Sequence, residues 1–170
     1  MNLTRPGIFS VLLILTLGSL AASNEGGCQP QWISPSSRML GTQAPNFTLP
    51  ALKGEKVELS TITAEKPVLL IFWATWCPTC VEEIPTLNEW HQKYKNLAIF
   101  GINVQESNER VKVFKKKKKM LYPILLDGEG EVAGQFGLVG IPAAILLAKG
   151  GKIIYFGFSL PQNIEQIIKE

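Results

Sequence analysis

The sequence is short of the residues from which metal sites are built: its 170 residues contain one histidine, His91, and three cysteines, Cys28, Cys77 and Cys80. A structural zinc site takes four such ligands, so it would need all of them from distant parts of the chain, and no metal site is expected. No apolar run reaches the roughly 20 residues that span a bilayer's hydrocarbon core; the N-terminal apolar run, which carries no charge, covers residues 8–22. Charge of one sign is also scarce. The formal net charge is +3, and five of the seventeen basic residues form one block at 115–119, so no nucleic-acid partner is expected. There is no internal repeat, and 46% hydrophobic against 18% charged residues excludes wholesale disorder. The length fits one domain with a short appendage.

Residues 8–22 follow Met1 and Arg5 and precede the polar Ser23-Asn24-Glu25-Gly26-Gly27. Their length suits the apolar region of a signal peptide, about 7 to 15 residues, and Ala21 and Ala22 are small residues near a plausible cut. Residues 1–22 are read as a signal peptide or an N-terminal membrane anchor. Either reading exports the folded part, to the periplasm or the outer face of the cytoplasmic membrane, with a membrane tether as one option. Residues 23–43, rich in Ser, Pro and Gln, read as a linker. It carries Cys28, where Glu25 three residues earlier argues against lipid attachment and the odd thiol has no assigned role. A packed domain is expected over 44–170.

Alternation on both sides of Lys53-Gly54 suggests a hairpin over 47–59. The run 68–73, Val-Leu-Leu-Ile-Phe-Trp, suits a central strand buried on both faces. A helix is expected from Cys77 to about Asn96, kinked at Pro85, which lacks a backbone donor. Then come a strand over 97–104, a helix over 108–119, a short strand over 122–126, a short helix over 131–136, a strand over 143–148, a turn at 149–152, a strand over 153–158, and a final helix from Pro161.

The chemistry is concentrated in Trp76-Cys77-Pro78-Thr79-Cys80. Two cysteines one helical turn apart, at a helix start, can face each other and exchange a disulfide. The unpaired amides and partial positive charge of the helix N-terminus favour the first as a thiolate. Cys77 is then the attacking sulfur and Cys80 the resolving one, while Pro78 suits an early helical position. A purely structural disulfide across two residues would close too small a loop to stabilise much.

With Phe72-Trp73-Ala74-Thr75 before it and Pro85 after it, this run resembles the active-site segment of the thioredoxin superfamily, most of all its TlpA- and ResA-like, cytochrome c maturation branch. The resemblance extends over 44–170 and includes Ala44-Pro45-Asn46-Phe47 and Gly140-Ile141-Pro142. It implies an α/β thioredoxin fold: a central mixed sheet flanked by helices, with an N-terminal β-hairpin extension and an inserted strand and helix. It implies a thiol–disulfide oxidoreductase without cofactor, acting on protein disulfides such as that of apocytochrome c and reduced by a DsbD- or CcdA-type membrane donor. Pro142 would be a cis proline facing the cysteines. Ile141 would present its backbone to a partner chain, and Trp76, Pro78 and Thr79 would shape the surface around the sulfurs.

Two positions modify the pattern. Thioredoxins carry a buried aspartate six residues before the first cysteine, where this chain has Ile71, and Glu83 matches a carboxylate that ResA-like proteins place beneath their cysteines. Glu83 is therefore expected to take and return the proton of Cys80. Glu106 follows a central strand at the active-site edge, either to tune the thiols or as a solvated acid. His91 lies about 20 Å along the helix from Cys77 and is excluded from direct catalysis. Peroxiredoxin chemistry would require Thr and Pro where Ala74 and Leu70 stand. The alternatives left are a Cu(I)-binding chaperone, and an oxidant or isomerase of the same fold.

Overall fold

The structure, a computed structural model, describes residues 38–168. In chain order the elements are β1 (Thr48–Pro50), β2 (Lys56–Glu58), α1 (Leu59–Glu65), β3 (Val68–Trp73), α2 (Pro78–Glu82), α3 (Ile84–Lys93), β4 (Ala98–Val104), α4 (Asn108–Lys118), β5 (Ile124–Asp127), α5 (Glu131–Gln135), β6 (Ala143–Leu147), β7 (Ile153–Gly157) and α6 (Ile164–Ile167). The apolar run 8–22, Cys28 and most of the linker lie outside the described residues. None of the described helices is long and apolar enough to cross a membrane.

β3 is buried at all six positions because it is the middle strand of a five-stranded sheet, in the order β5-β4-β3-β6-β7. It pairs parallel with β4 and antiparallel with β6, so the sheet is mixed. β5 extends it in parallel beside β4, and β7 closes the other edge in antiparallel. Successive side chains of a strand point to opposite faces. Accordingly Leu70 and Phe72 join a core with Leu49, Leu59 and Val132, from β1, α1 and α5. Leu69, Ile71 and Trp73 join a second core on the other face with Ile84, Leu87, Val111 and Ile164, from α3, α4 and α6. This is the thioredoxin fold, with the hairpin β1–β2 in front and β5–α5 inserted before the last hairpin.

Three local differences from the sequence reading have physical causes. The expected continuous helix from 77 is two helices meeting at Glu83, with Pro85 in the first turn of α3. There its missing N–H has no intrahelical acceptor to lose. α1 had not been expected: its apolar spacing, Leu59, Ile62 and Thr63, was absorbed into the strand reading of the preceding residues, and Thr63 satisfies its hydroxyl on Leu59 O at 3.1 Å. Residues 41–43, read as linker, pair with the start of β7, Gly41 N–H donating to Ile153 O at 2.8 Å and Gln43 bridging Lys152.

Gly101 is dictated by packing. A Cβ on it would sit 2.7 Å from Ile124 Cδ1, 2.9 Å from Trp73 Nε1 and 3.0 Å from the Tyr122 ring. All three belong to the core on the α3–α4 face and cannot retreat. Gly101→Ala should therefore destabilise by about 1–3 kcal/mol through overpacking. Thermal denaturation should show a melting temperature lower by several degrees; an unchanged one would mean that this core yields.

Candidate active site

The end of β3 leads through Ala74, Thr75 and Trp76 to Cys77, which caps the N-terminus of α2. Cys77 and Cys80 form a disulfide with Cα atoms 5.3 Å apart. The Cys80 backbone N–H donates to Cys77 Sγ at 3.2 Å, so an otherwise orphaned helix amide faces that sulfur. Pro78 occupies the first turn, where no donor is missed. Both cysteines are nearly buried, 4% exposed, whereas the preceding Trp76 is 65% exposed. The indole thus stands in solvent beside the sulfurs.

Glu83 sits at the junction of α2 and α3, one turn beyond Cys80. It is half-buried, and its Oε2 is buried without a hydrogen-bond partner. Burial pushes its carboxyl above the ordinary value of 4.5, against a hydrogen bond from the Leu160 backbone that favours the charge. Tyr122 reports the same environment: burial pushes its phenol up, and the charge of Glu83 adds to that. A carboxyl that resists ionisation and keeps a free oxygen is suited to holding and releasing a proton.

Glu106 is not a solvated acid. Its side chain is 5% exposed and gathers the active-site loop onto the end of β4. Oε2 accepts from the Thr75 backbone N–H at 2.7 Å and from Asn103 Nδ2 at 2.8 Å, and Oε1 accepts from the Thr75 hydroxyl and pairs with Arg110 Nε at 2.9 Å. Burial alone would raise its pKa. The hydrogen bonds from Thr75 and Asn103 and the charge of Arg110 outweigh burial and hold it below 4.5. A carboxylate with a depressed native pKa contributes stability above the unfolded value, and that contribution is lost as pH falls through the folded one. Glu106→Ala strands the Thr75 amide and Asn103, and should cost about 1–3 kcal/mol at pH 7. Denaturant titrations of the variant and parent should converge toward pH 4 and below; a gap independent of pH would assign the loss to packing instead.

The Ile141–Pro142 peptide is cis. Its place follows from the register, because Ala143 pairs with Phe72 and so brings Pro142 to the end of β3 that leads into the cysteines. Ile141, Leu138, Val104 and Gln105 line a groove of about 630 Å³ together with Trp76. Its walls are mainly apolar, and Gln105 lies in the left-handed region at φ 57°. The exposed Val139 and Phe158 flank the same end of the sheet, in the loop before β6 and just past β7. Thr79 lies within α2 between the cysteines and is exposed. His91, by contrast, lines a shallow cavity with Lys66 and Lys95 at the opposite end.

The sequence reading missed Asn103, Arg110 and Thr75 as the frame of Glu106, and Tyr122 as the neighbour of Glu83. The signal was present for Asn103, a polar residue in an otherwise apolar strand three residues before an acid. Among the described residues, no group of three or more His, Cys, Asp or Glu is placed to hold a metal.

Known proteins agree with this geometry. The description "AhpC/TSA family" matches residues 40–156. The thiol-disulfide oxidoreductase ResA of Bacillus cereus is 32% identical over 169 residues, covering 96% of this chain and 95% of that protein. Among solved structures, the thioredoxin domain of a thiol-disulfide oxidoreductase from Bacteroides vulgatus shares 28% identity at a TM-score of 0.68, covering 76% of this chain and 97% of that one. StoA of Bacillus subtilis shares 26% at 0.62, covering 74% and 96%. With a dithiol pair at a helix start, a cis proline beside it and relatives of this likeness along nearly its whole length, the chain belongs to the AhpC/TSA family and is a ResA-like thiol–disulfide oxidoreductase.

Proposed function

We propose that the chain reduces disulfides of partner proteins outside the cytoplasm, as an exported protein held at a membrane. The observation that carries the exchange chemistry is the Cys77–Cys80 disulfide at the start of α2, with the Cys80 amide on the Cys77 sulfur. In the reduced protein the Cys77 thiolate attacks one sulfur of a partner disulfide. The partner's other sulfur leaves as a thiolate, and a mixed disulfide forms. Glu83 takes the proton of Cys80, whose thiolate attacks Cys77 Sγ. The partner's second sulfur departs, so the partner gains two electrons and Cys77–Cys80 loses them.

Glu83 also supports the reductive direction. A half-buried carboxylate one turn from Cys80 disfavours thiolate beside it, which destabilises the reduced pair relative to the disulfide. The groove beside Trp76 and Ile141 suits an extended segment carrying a Cys-x-x-Cys disulfide, as in an apocytochrome c, and a DsbD- or CcdA-type membrane donor would return the electrons.

The test mixes the reduced protein with a peptide closed by a Cys-x-x-Cys disulfide and follows both partners by mass spectrometry after acid quench. Open peptide appearing in step with the Cys77–Cys80 disulfide supports the proposal. Peptide that stays closed, or open peptide closed by the oxidised protein, would make the chain an oxidant or isomerase.

A further inference from the structure

The end of the sheet remote from the cysteines carries a charge that disulfide exchange does not use. Val68, Ala98 and Leu147 stand side by side there, at the starts of β3 and β4 and the end of β6. The segments joining them carry Lys66, Lys95, Lys149 and Lys152. Ala98 N–H donates to Pro67 O at 3.0 Å, which ties the Lys66 and Lys95 segments together. Lys53 and Lys115 line a common shallow cavity, and α4, which runs back from the cysteine end of β4, delivers Lys116, Lys117, Lys118 and Lys119, all exposed. Ten of the chain's seventeen basic residues are in this set, and among the described residues none of the ten is in an ion pair. Acids in the same region include Glu55, which lines the Lys53 cavity, Glu65, Glu89 next to the Asn88 that bonds the Lys119 carbonyl, and Glu165, paired with Lys93. At the other end, the carboxyl ends of β3, β4 and β5 are followed by Glu82, Glu83, Glu106, Glu129 and Glu131. The net charge of +3 conceals a gradient along the strands.

A second observation lies at the same pole. Gly41, Gln43 and Ala44 bond to Ile153, Gly150 and Gly151, beside Lys149 and Lys152, so the chain enters the fold at its lysine-rich end. The uncharged run 8–22 precedes this entry in sequence.

We propose that the lysine pole docks on an anionic lipid surface and turns the cysteine end away from it. The inference rests on the reading of a tethered chain. The set spreads over several loops and a helix end rather than lining a groove. It contains no arginine, whose planar fork is the usual means of gripping individual carboxylates, so it fits a diffuse field of headgroups better than an acidic polypeptide. Lysines brought to such a surface each improve partitioning by about fivefold, within a Debye length. Leu121, 48% exposed next to the block, adds apolar contact.

The full chain would be incubated with vesicles of phosphatidylcholine alone, and with others in which part of it is replaced by the anionic phosphatidylglycerol. Flotation and lysine acylation mapped by mass spectrometry are then read. The proposal expects Lys116–Lys119, Lys149 and Lys152 to be protected on anionic vesicles only. That protection should be lost at high salt and in K116E/K117E/K118E, which should weaken docking by about a hundredfold or more, while the reactivity of reduced Cys77 toward soluble disulfides is unchanged. Flotation with both vesicles and equal labelling would overturn docking and leave the tether. Flotation with anionic vesicles alone, reversed by salt, would support docking and remove the tether. Flotation with neither would remove both, and protection by soluble polyglutamate but not by anionic vesicles would overturn the proposal in favour of an acidic protein.

Discussion

Cys77→Ser should abolish disulfide exchange, with the rate toward a disulfide peptide falling on the order of 10³-fold or more, whereas Cys80→Ser should keep the first half of the reaction. Without Cys77 the sulfur that receives the Cys80 amide hydrogen bond is gone, and Cys80, the resolving sulfur, is the one cysteine left among the described residues. Without Cys80 nothing resolves the mixed disulfide, so one equivalent of partner should remain attached through Cys77. Intact-mass analysis under non-reducing conditions separates the two variants. If Cys80→Ser captured no partner while Cys77→Ser did, the order of attack would be reversed.

Glu83→Gln should slow resolution of the mixed disulfide about 100-fold near pH 7, the lower part of what a positioned proton carrier contributes. It should also remove the corresponding limb of the pH–rate profile. The same residue makes a stability prediction of opposite sign. Burial raises the folded pKa of Glu83 above 4.5, so the folded state holds this proton more tightly than the unfolded chain. That contribution is fully present below the ordinary carboxylate value and is lost as pH rises through the raised one. Glutamine does not titrate, so the variant should gain stability relative to the parent between acid and neutral pH, seen as a smaller fall in melting temperature across that range. Loss of stability with an unaltered pH–rate profile would reduce Glu83 to a packing residue.

The parts legible in the sequence were those governed by local chemistry. Six apolar residues from Val68 to Trp73 can only be buried on both faces, which fixes β3 at the centre of the sheet. Two cysteines around Pro78-Thr79 at a helix start mark the dithiol, and the family likeness marked Pro142, whose peptide bond is cis. What stayed hidden depends on contacts between distant segments. Glu106 was ambiguous because its partner Thr75 lies 31 residues earlier and meets it only when β3 and β4 pair. Tyr122 reaches the vicinity of Glu83 because Gly101 leaves room for its ring, a relation between three separate elements. α1 was lost to a short strand reading, since Leu59 closes one pattern and opens the other.

The equilibrium reduction potential of the Cys77–Cys80 pair, measured on the full chain against glutathione and dithiothreitol, tests the account most directly. The account predicts a value at or below about −220 mV, within reach of a reducing donor and able to open partner disulfides. A value near −120 mV, that of a strong oxidant, would contradict it.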